Sequence, residues 1–368
     1  MTTAMTLPET SERYDRRQAL ELLADLPMGE LMALAHRERV RRFPGKTVTF
    51  VVDTNPNYTN VCATGCAFCA FFRQPGDADA YLLDPREVAQ RVKIAADKGA
   101  TTVLLQGGHH PRVGLKDWQA YIEAIHSACP QVHIHPFSPA EIAFMAEKTH
   151  CPVSEVLQAL WDAGIRTIPG GGAEILTESV RRVIAPRKAG TEQWLDVCEQ
   201  AHRIGFKTTA TMMYGHVETD GDIIAHLLRL RELQDRTQGF TSFIPWSFKP
   251  GQSPLARRVK HPVHPARYVR IIAVARLVLD NFPHIQSSWF SENIPAGQLG
   301  LLAGADDFGG VLVEEHVHRE AGHDRQATVA NVVTIIRRAG FIPARRDSHY
   351  RIRETFDPPV TVGTGGGA

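Results

Sequence analysis

The sequence predicts an α/β protein, a (β/α)8 TIM-type barrel with an N-terminal helical extension. Three observations point there. From Lys46 onward, short apolar runs alternate with longer amphipathic segments, and eight strand candidates result. The helical segments carry end signals. Asp84-Pro85-Arg86-Glu87 supplies an N-cap, a first-position proline and an acid at the third position, and Gly99 closes the same segment. Glycines and polar residues also gather after the strands, which in a barrel is the face where sites are built. A doubly wound sheet shares this alternation, because periodicity does not report closure.

Taken in order, residues 15–25 and 28–42 read as two helices separated by Pro27. The arginines 37, 39, 41 and 42 crowd the end of the second, where cations suit the helix dipole, so the basic run reads as a solvated face. Strands are expected at 47–53, 101–105, 132–135, 165–168, 207–213, 240–244, 285–290 and 307–313. Between them fall helices at about 84–98, 115–128, 154–163, 192–204, 220–235 and 265–282, with a last one at 327–338. The division is an extension over 1–45, a barrel over 46–345 and a tail over 346–368, whose end, GTGGGA, offers little to pack and is expected to be mobile.

Bulk properties exclude several classes. The 368 residues are 43% hydrophobic and 22% charged, enough for a sizeable core. A net charge of +1 provides no field for nucleic acid or an anionic membrane, so neither is expected as a partner. No apolar run approaches the ~18 residues of a bilayer span, and residues 1–17 have no secretory h-region. Six cysteines without such a signal argue for a reducing cytoplasm.

The chemistry centres on Cys62-Ala-Thr-Gly-Cys66-Ala-Phe68-Cys69, which follows the first strand. Iron–sulfur clusters are normally held by four thiolates. Three thiols at this spacing would leave one iron open to a substrate or cofactor. Zinc is the competing occupant, but a zinc knuckle usually pairs with a second one, and Cys129, Cys151 and Cys198 are scattered.

The cysteine spacing, with an aromatic residue before the last Cys, resembles the radical S-adenosylmethionine (SAM) enzymes. Asn57-Tyr-Thr-Asn-Val-Cys62, Leu105-Gln-Gly-Gly108 with His110-Pro111, and Ile168-Pro-Gly-Gly-Gly-Ala-Glu174 are similar to the menaquinone/F420 branch of that superfamily. Thr211-Met-Met-Tyr-Gly-His216-Val-Glu218 and Phe243-Ile-Pro-Trp-Ser-Phe-Lys249-Pro are most similar to its dehypoxanthine futalosine cyclases. The resemblance spans about residues 45–345 and implies a barrel of radical SAM type. It implies a [4Fe–4S] cluster on Cys62, Cys66 and Cys69 whose open iron chelates SAM. One electron, from a flavodoxin- or ferredoxin-type donor, then yields methionine and a 5′-deoxyadenosyl radical. The implied substrate is dehypoxanthine futalosine, a ribose joined through a ketone linker to a benzoate. The implied reaction removes the ribose C4′ hydrogen and closes a ring onto the benzoate, in menaquinone biosynthesis; the alternative within the branch is an aminofutalosine synthase or a deazaflavin (FO) synthase-type enzyme.

Within that frame Phe68, Gln106, Gly107, Gly108 and Glu174 are candidates for SAM binding, with Glu174 on the ribose diol. The glycines also fit a tight strand–helix turn, and Glu174 a helix N-terminus. His110, His135, Lys249 and Trp289 are candidates for the substrate, and His216 for the base that takes the last proton. Each has a plainer alternative: a loop or core histidine, a surface lysine, an aromatic ring packed in the barrel.

Overall fold

The computed structural model describes residues 13–313, 316–322 and 328–356. Residues 357–368, expected to be mobile, lie outside the described residues, as does the start of the extension over 1–12.

Two helices, α1 (Arg16–Ala24) and α2 (Met28–Arg42), precede β1 (Thr47–Thr54). The chain continues through α3 (Pro85–Asp97), β2 (Thr102–Leu105), α4 (Leu115–Ala128), β3 (His133–Pro136), α5 (Pro139–Thr149), α6 (Val153–Asp162) and β4 (Thr167–Ile168). Then come α7 (Glu178–Ile184), α8 (Thr191–Ile204), β5 (Lys207–Tyr214), α9 (Asp220–Thr237), β6 (Phe240–Ser247), α10 (Pro265–Val278) and β7 (His284–Ile285). The last elements are α11 (Ile294–Leu302), β8 (Asp307–Leu312), α12 (Val317–Glu320), α13 (Val329–Arg338), β9 (Ile342–Arg346) and β10 (Ile352–Thr355).

β1 to β8 form the expected barrel, in two sheets. One holds β1, β2, β3 and β8, with β9 also pairing β1 and β10 pairing β9; the other runs β4-β5-β6-β7. Pairing among β1–β8 is parallel within each sheet. The sheets meet at two junctions of different kinds. At β7/β8, a parallel bridge joins Gln286 to Asp307, and Ser287 N donates to Asp307 O at 2.7 Å. At β3/β4 no ladder forms among the described residues. There the Thr167 hydroxyl lies 2.6 Å from His133 Nε2 and 2.7 Å from His135 Nδ1, so side chains close the seam.

Period-two alternation separates lumen from core. On β1, Phe50 and Val52 are buried in the core, whereas Val51 and Asp53 face the lumen; on β5, Ala210 and Met212 are core, while Thr209 and Thr211 line the lumen. The caps form as their sequences require: Asp84 accepts from Arg86 N and Glu87 N, and Glu87 returns a bond to Asp84 N.

Several elements differ from the sequence expectation. The basic end of α2 is not wholly solvated: Arg39 is buried and donates to Gly45 O and Thr47 O, both at 2.9 Å, and Arg42 reaches Asp280 O at 2.7 Å. These guanidinium groups satisfy carbonyls where the extension meets the barrel. α5 was not expected, although Ser138-Pro139-Ala140-Glu141 is a capping box. β7 stops at Ile285 rather than 290, because the chain bends where Ser288 N donates to the Tyr268 hydroxyl at 2.5 Å. A boundary at 345 cuts β9, and residues 346–356 are integral to the fold: Arg346 is buried, and β10 pairs antiparallel with β9.

Candidate active site

The strand ends surround one cavity of about 430 Å³. Backbone bonds pin the cysteine loop over it: Cys62 N to Arg73 O at 3.0 Å, Ala63 N to His109 O at 2.9 Å and Ala67 N to Ile184 O at 2.8 Å. Cys62, Cys66 and Cys69 all line the cavity. Burial, with the neighbouring Cys66, pushes the Cys69 thiol up to about 12, so a metal must displace its proton.

The loop can approach β2 only because glycines follow that strand. A Cβ on Gly108 would fall 2.3 Å from Val61 O, and one on Gly107 would fall 2.7 Å from the Tyr58 ring. Gly107 N donates at 3.2 Å to the buried Glu141, whose carboxyl burial raises to about 7. The glycines thus make the tight turn, and Gln106, Gly107 and Gly108 all line the cavity.

Across the cavity, Glu174 has a left-handed backbone, φ 45°, and its Oε1 accepts from Lys188 Nζ at 2.7 Å. The Lys188 ammonium sits 5.5 Å from the centre of the Phe68 ring. Burial opposes its charge, but Glu174 and Cys66 outweigh burial and hold its pKa above the ordinary range. Sequence reasoning missed Lys188, because Pro186-Arg187-Lys188 reads as an exposed basic turn.

His135 and Lys249 also reach the cavity wall. His135 is committed to the β3/β4 seam through Thr167. Lys249 Nζ donates to Ser247 Oγ at 2.5 Å and lies 3.6 Å from Glu292 Oε2, so it is a buried, paired cation and not a surface lysine.

Three candidates lie off the cavity wall. The His216 side chain is fully buried, with Nε2 3.1 Å from Met213 O and Nδ1 3.0 Å from Glu218 Oε2; it braces the turn after β5 and does not line the cavity. His110 Nδ1 accepts from Arg112 N at 3.1 Å, within its own turn. Trp289 stacks on Phe308, with ring centres 6.0 Å apart. The bend after β7 turns it away from the lumen.

Asp53 is a second residue the sequence reasoning missed. It lines the lumen 7% exposed, and burial pushes its carboxyl up to about 7. An acid at the lumen-facing end of the run Val51-Val52-Asp53 was the available signal.

The donor set fits an iron–sulfur cluster better than a single ion. Among the described residues no three His, Cys, Asp or Glu side chains close on one metal ion. A polynuclear cluster needs only that each thiolate reach its own iron, and three thiols on one pinned loop meet that need.

Comparison with known proteins gives the following. The model described as "Radical SAM superfamily" matches residues 56–230, and "CofH/MqnC C-terminal region" matches residues 237–358. A cyclic dehypoxanthine futalosine synthase of Streptomyces coelicolor is 37% identical over 351 residues, covering 95% of this chain and 88% of that protein. The 5-amino-6-(D-ribitylamino)uracil–L-tyrosine 4-hydroxyphenyl transferase of Methanopyrus kandleri is 41% identical over 342 residues, covering 91% of this chain and 92% of the relative. Among solved structures, the FeFe-hydrogenase maturase HydG of Carboxydothermus hydrogenoformans superposes with a TM-score of 0.70 at 17% identity, over 92% of this chain and 78% of that one. Methylornithine synthase (PylB) gives 0.69 at 18%, over 91% and 95%. These two share the fold.

Proposed function

The chain belongs to the radical SAM superfamily, in the branch carrying the CofH/MqnC C-terminal region, and from that premise we propose that it cyclises dehypoxanthine futalosine. The observation that carries this is the match, over nearly the whole chain, to cyclic dehypoxanthine futalosine synthases of Streptomyces coelicolor and of Halalkalibacterium halodurans, each 37% identical.

Enzymes of this superfamily work with a [4Fe–4S] cluster and SAM. When bound, the pair supplies a 5′-deoxyadenosyl radical. Cys62, Cys66 and Cys69 would hold the cluster. Gln106, Gly107 and Gly108 would present backbone to SAM, and Glu174, oriented by Lys188, would take the ribose diol. Phe68, Phe72, Phe248 and Phe290 line the cavity with apolar surface that keeps water from a reactive carbon. In the proposed reaction the ribose C4′ hydrogen passes to the 5′-deoxyadenosyl radical, C4′ bonds to the benzoate ring, and the ring regains aromaticity by losing one proton to solvent and one electron, which the oxidised cluster would take back. A flavodoxin- or ferredoxin-type protein is the proposed source of the initiating electron. No helix among the described residues is long and apolar enough to cross a membrane.

The 41% identity to the Methanopyrus kandleri protein supports a second reading, transfer of a 4-hydroxyphenyl group from tyrosine to 5-amino-6-(D-ribitylamino)uracil. One experiment separates the two: anaerobic reconstitution with iron and sulfide, then SAM and dithionite with either substrate set, read by mass spectrometry. Free 5′-deoxyadenosine with a futalosine-derived product two hydrogens lighter supports the cyclase. Product from tyrosine and the ribityl compound alone overturns it.

A further inference from the structure

Where β1 runs into the cysteine loop, the chain reads Asp53-Thr-Asn55-Pro-Asn57. Asp53, Asn55 and Asn57 all line the cavity and are 7%, 7% and 1% exposed. In each, the buried Oδ1 has no hydrogen-bond partner among the described residues. Alternate residues of an extended segment face one way, so Asp53 and Asn55 project into the lumen together. Burying a polar atom without a partner costs roughly 1–3 kcal/mol, so three such acceptors side by side mark a place where a ligand supplies the donors.

The surroundings keep these acceptors available. Arg346 is the nearby cation, but it donates Nε and NH2 to Asp307 at 2.5 and 3.0 Å and NH1 to Asp347 O at 3.1 Å. Asp53 and Asp307 thus share one guanidinium, and Asp307 holds it. On β8, a Cβ at Gly310 would fall 2.5 Å from Asp53 Oδ1, so bare backbone there leaves the carboxylate its place. Burial, opposed by Arg346 and reinforced by Asp307, holds the Asp53 carboxyl near 7. A site built of acceptors beside a surplus acid repels a carboxylate and suits hydroxyl groups. Asp53 is also the next-to-last residue of β1, at the level of the barrel just beneath the cysteine loop.

We propose that Asp53 and Asn55 form the subsite for the hydroxyl-bearing sugar portion of the substrate, each accepting a hydrogen bond from a substrate O–H. This rests on the cyclase reading and deepens it: the ribose that loses hydrogen is held by its hydroxyls beneath the cluster loop, and the benzoate points away from Asp53.

The test is calorimetric binding to the reconstituted enzyme without reductant, so that no turnover intervenes. Dehypoxanthine futalosine and its 2′-deoxy and 3′-deoxy analogues are titrated into wild type, Asp53→Asn, Asn55→Ala and Gly310→Ala, with SAM titrated in parallel. The subsite predicts that Asp53→Asn weakens the full substrate roughly tenfold or more, and that at least one deoxy analogue binds wild type and Asp53→Asn equally. Gly310→Ala, which displaces the carboxylate without removing it, should give the same pattern, and SAM affinity should stay within about twofold. Equal substrate affinity in wild type and Asp53→Asn overturns the proposal. So does an equal loss for substrate and both analogues, which marks a structural role, or a loss of SAM affinity, which assigns the acceptors to the cofactor. If wild type ignores dehypoxanthine futalosine, the cyclase reading fails, and the same comparison with the ribityl compound of the second reading decides the subsite separately. Failure of wild type to bind either compound overturns both.

Discussion

At the residue scale, Glu174 shows how a side chain of the candidate site is held in an unfavourable backbone state. A φ of 45° is uncommon outside glycine and costs on the order of 1 kcal/mol or more. Two contacts offset that cost: Met213 N donates to Glu174 O at 2.7 Å, and Lys188 pairs with the carboxylate. The first involves backbone only and survives substitution. Glu174→Gln should therefore fold normally and lose roughly tenfold in SAM affinity, through the lost charge and the released lysine. Equilibrium binding beside a circular-dichroism melt checks this, and unchanged affinity would remove Glu174 from the cofactor site.

At the scale of elements, the β3/β4 seam is distinctive, because a side-chain relay replaces a backbone ladder. Thr167 has one proton to give, so at most one of the two flanking histidines accepts from it, and that ring nitrogen must be unprotonated, whereas the other donates to the hydroxyl oxygen. Burial, aided by His349, lowers His133 to about 4, and burial lowers His135 well below its ordinary value. The unfolded chain takes up these protons near pH 6.5, whereas the folded seam refuses them. Each histidine thus contributes stability that is full above pH 6.5 and is lost as pH falls towards its folded value, with a slope of about 1.4 kcal/mol per pH unit per proton. His133→Gln should flatten the fall in urea-unfolding stability between pH 6.5 and about 4 by one proton's worth. An unaltered pH slope would show that the seam does not set it.

At the scale of the whole molecule, β9 and β10 complete the barrel floor. β9 pairs with the first half of β1 and delivers Arg346 into the lumen, where Asp307 holds it. Tyr350 lies under the same guanidinium, 3.9 Å from ring centre to cation, and stacks on His284. This joins the last strands to β7, β8 and the lumen in one packed unit. Removing one partner of a buried ion pair leaves an uncompensated charge, so Arg346→Met should destabilise the protein by about 3–5 kcal/mol. Replacing Asp307 by Leu in the same chain should recover much of that loss. Chemical denaturation of both variants tests it, and a single variant as stable as wild type would show that the pair does not anchor the floor.

The barrel, its extension and the thiol loop were legible in the one-dimensional pattern, because each is written in local rules. Strand alternation, the Asp84 cap, and three cysteines within eight residues need no partner from elsewhere in the chain to be recognised. Residues whose meaning depends on a distant neighbour were not legible. Lys188 is a cofactor-site candidate because Glu174 folds against it, and the His216 ring is turned into its own loop by Met213 and Glu218. Trp289 left the lumen through a bend set by Tyr268, and Arg346 entered it through pairing between strands almost 300 residues apart in sequence. Periodicity tells which side of a strand a residue occupies, but not which charge or hydroxyl faces it across a lumen. That is set only when the strands close, since closure brings Asp53, Asp307 and Arg346 within reach of one another and leaves Asp53 Oδ1 without a hydrogen-bond partner among the described residues.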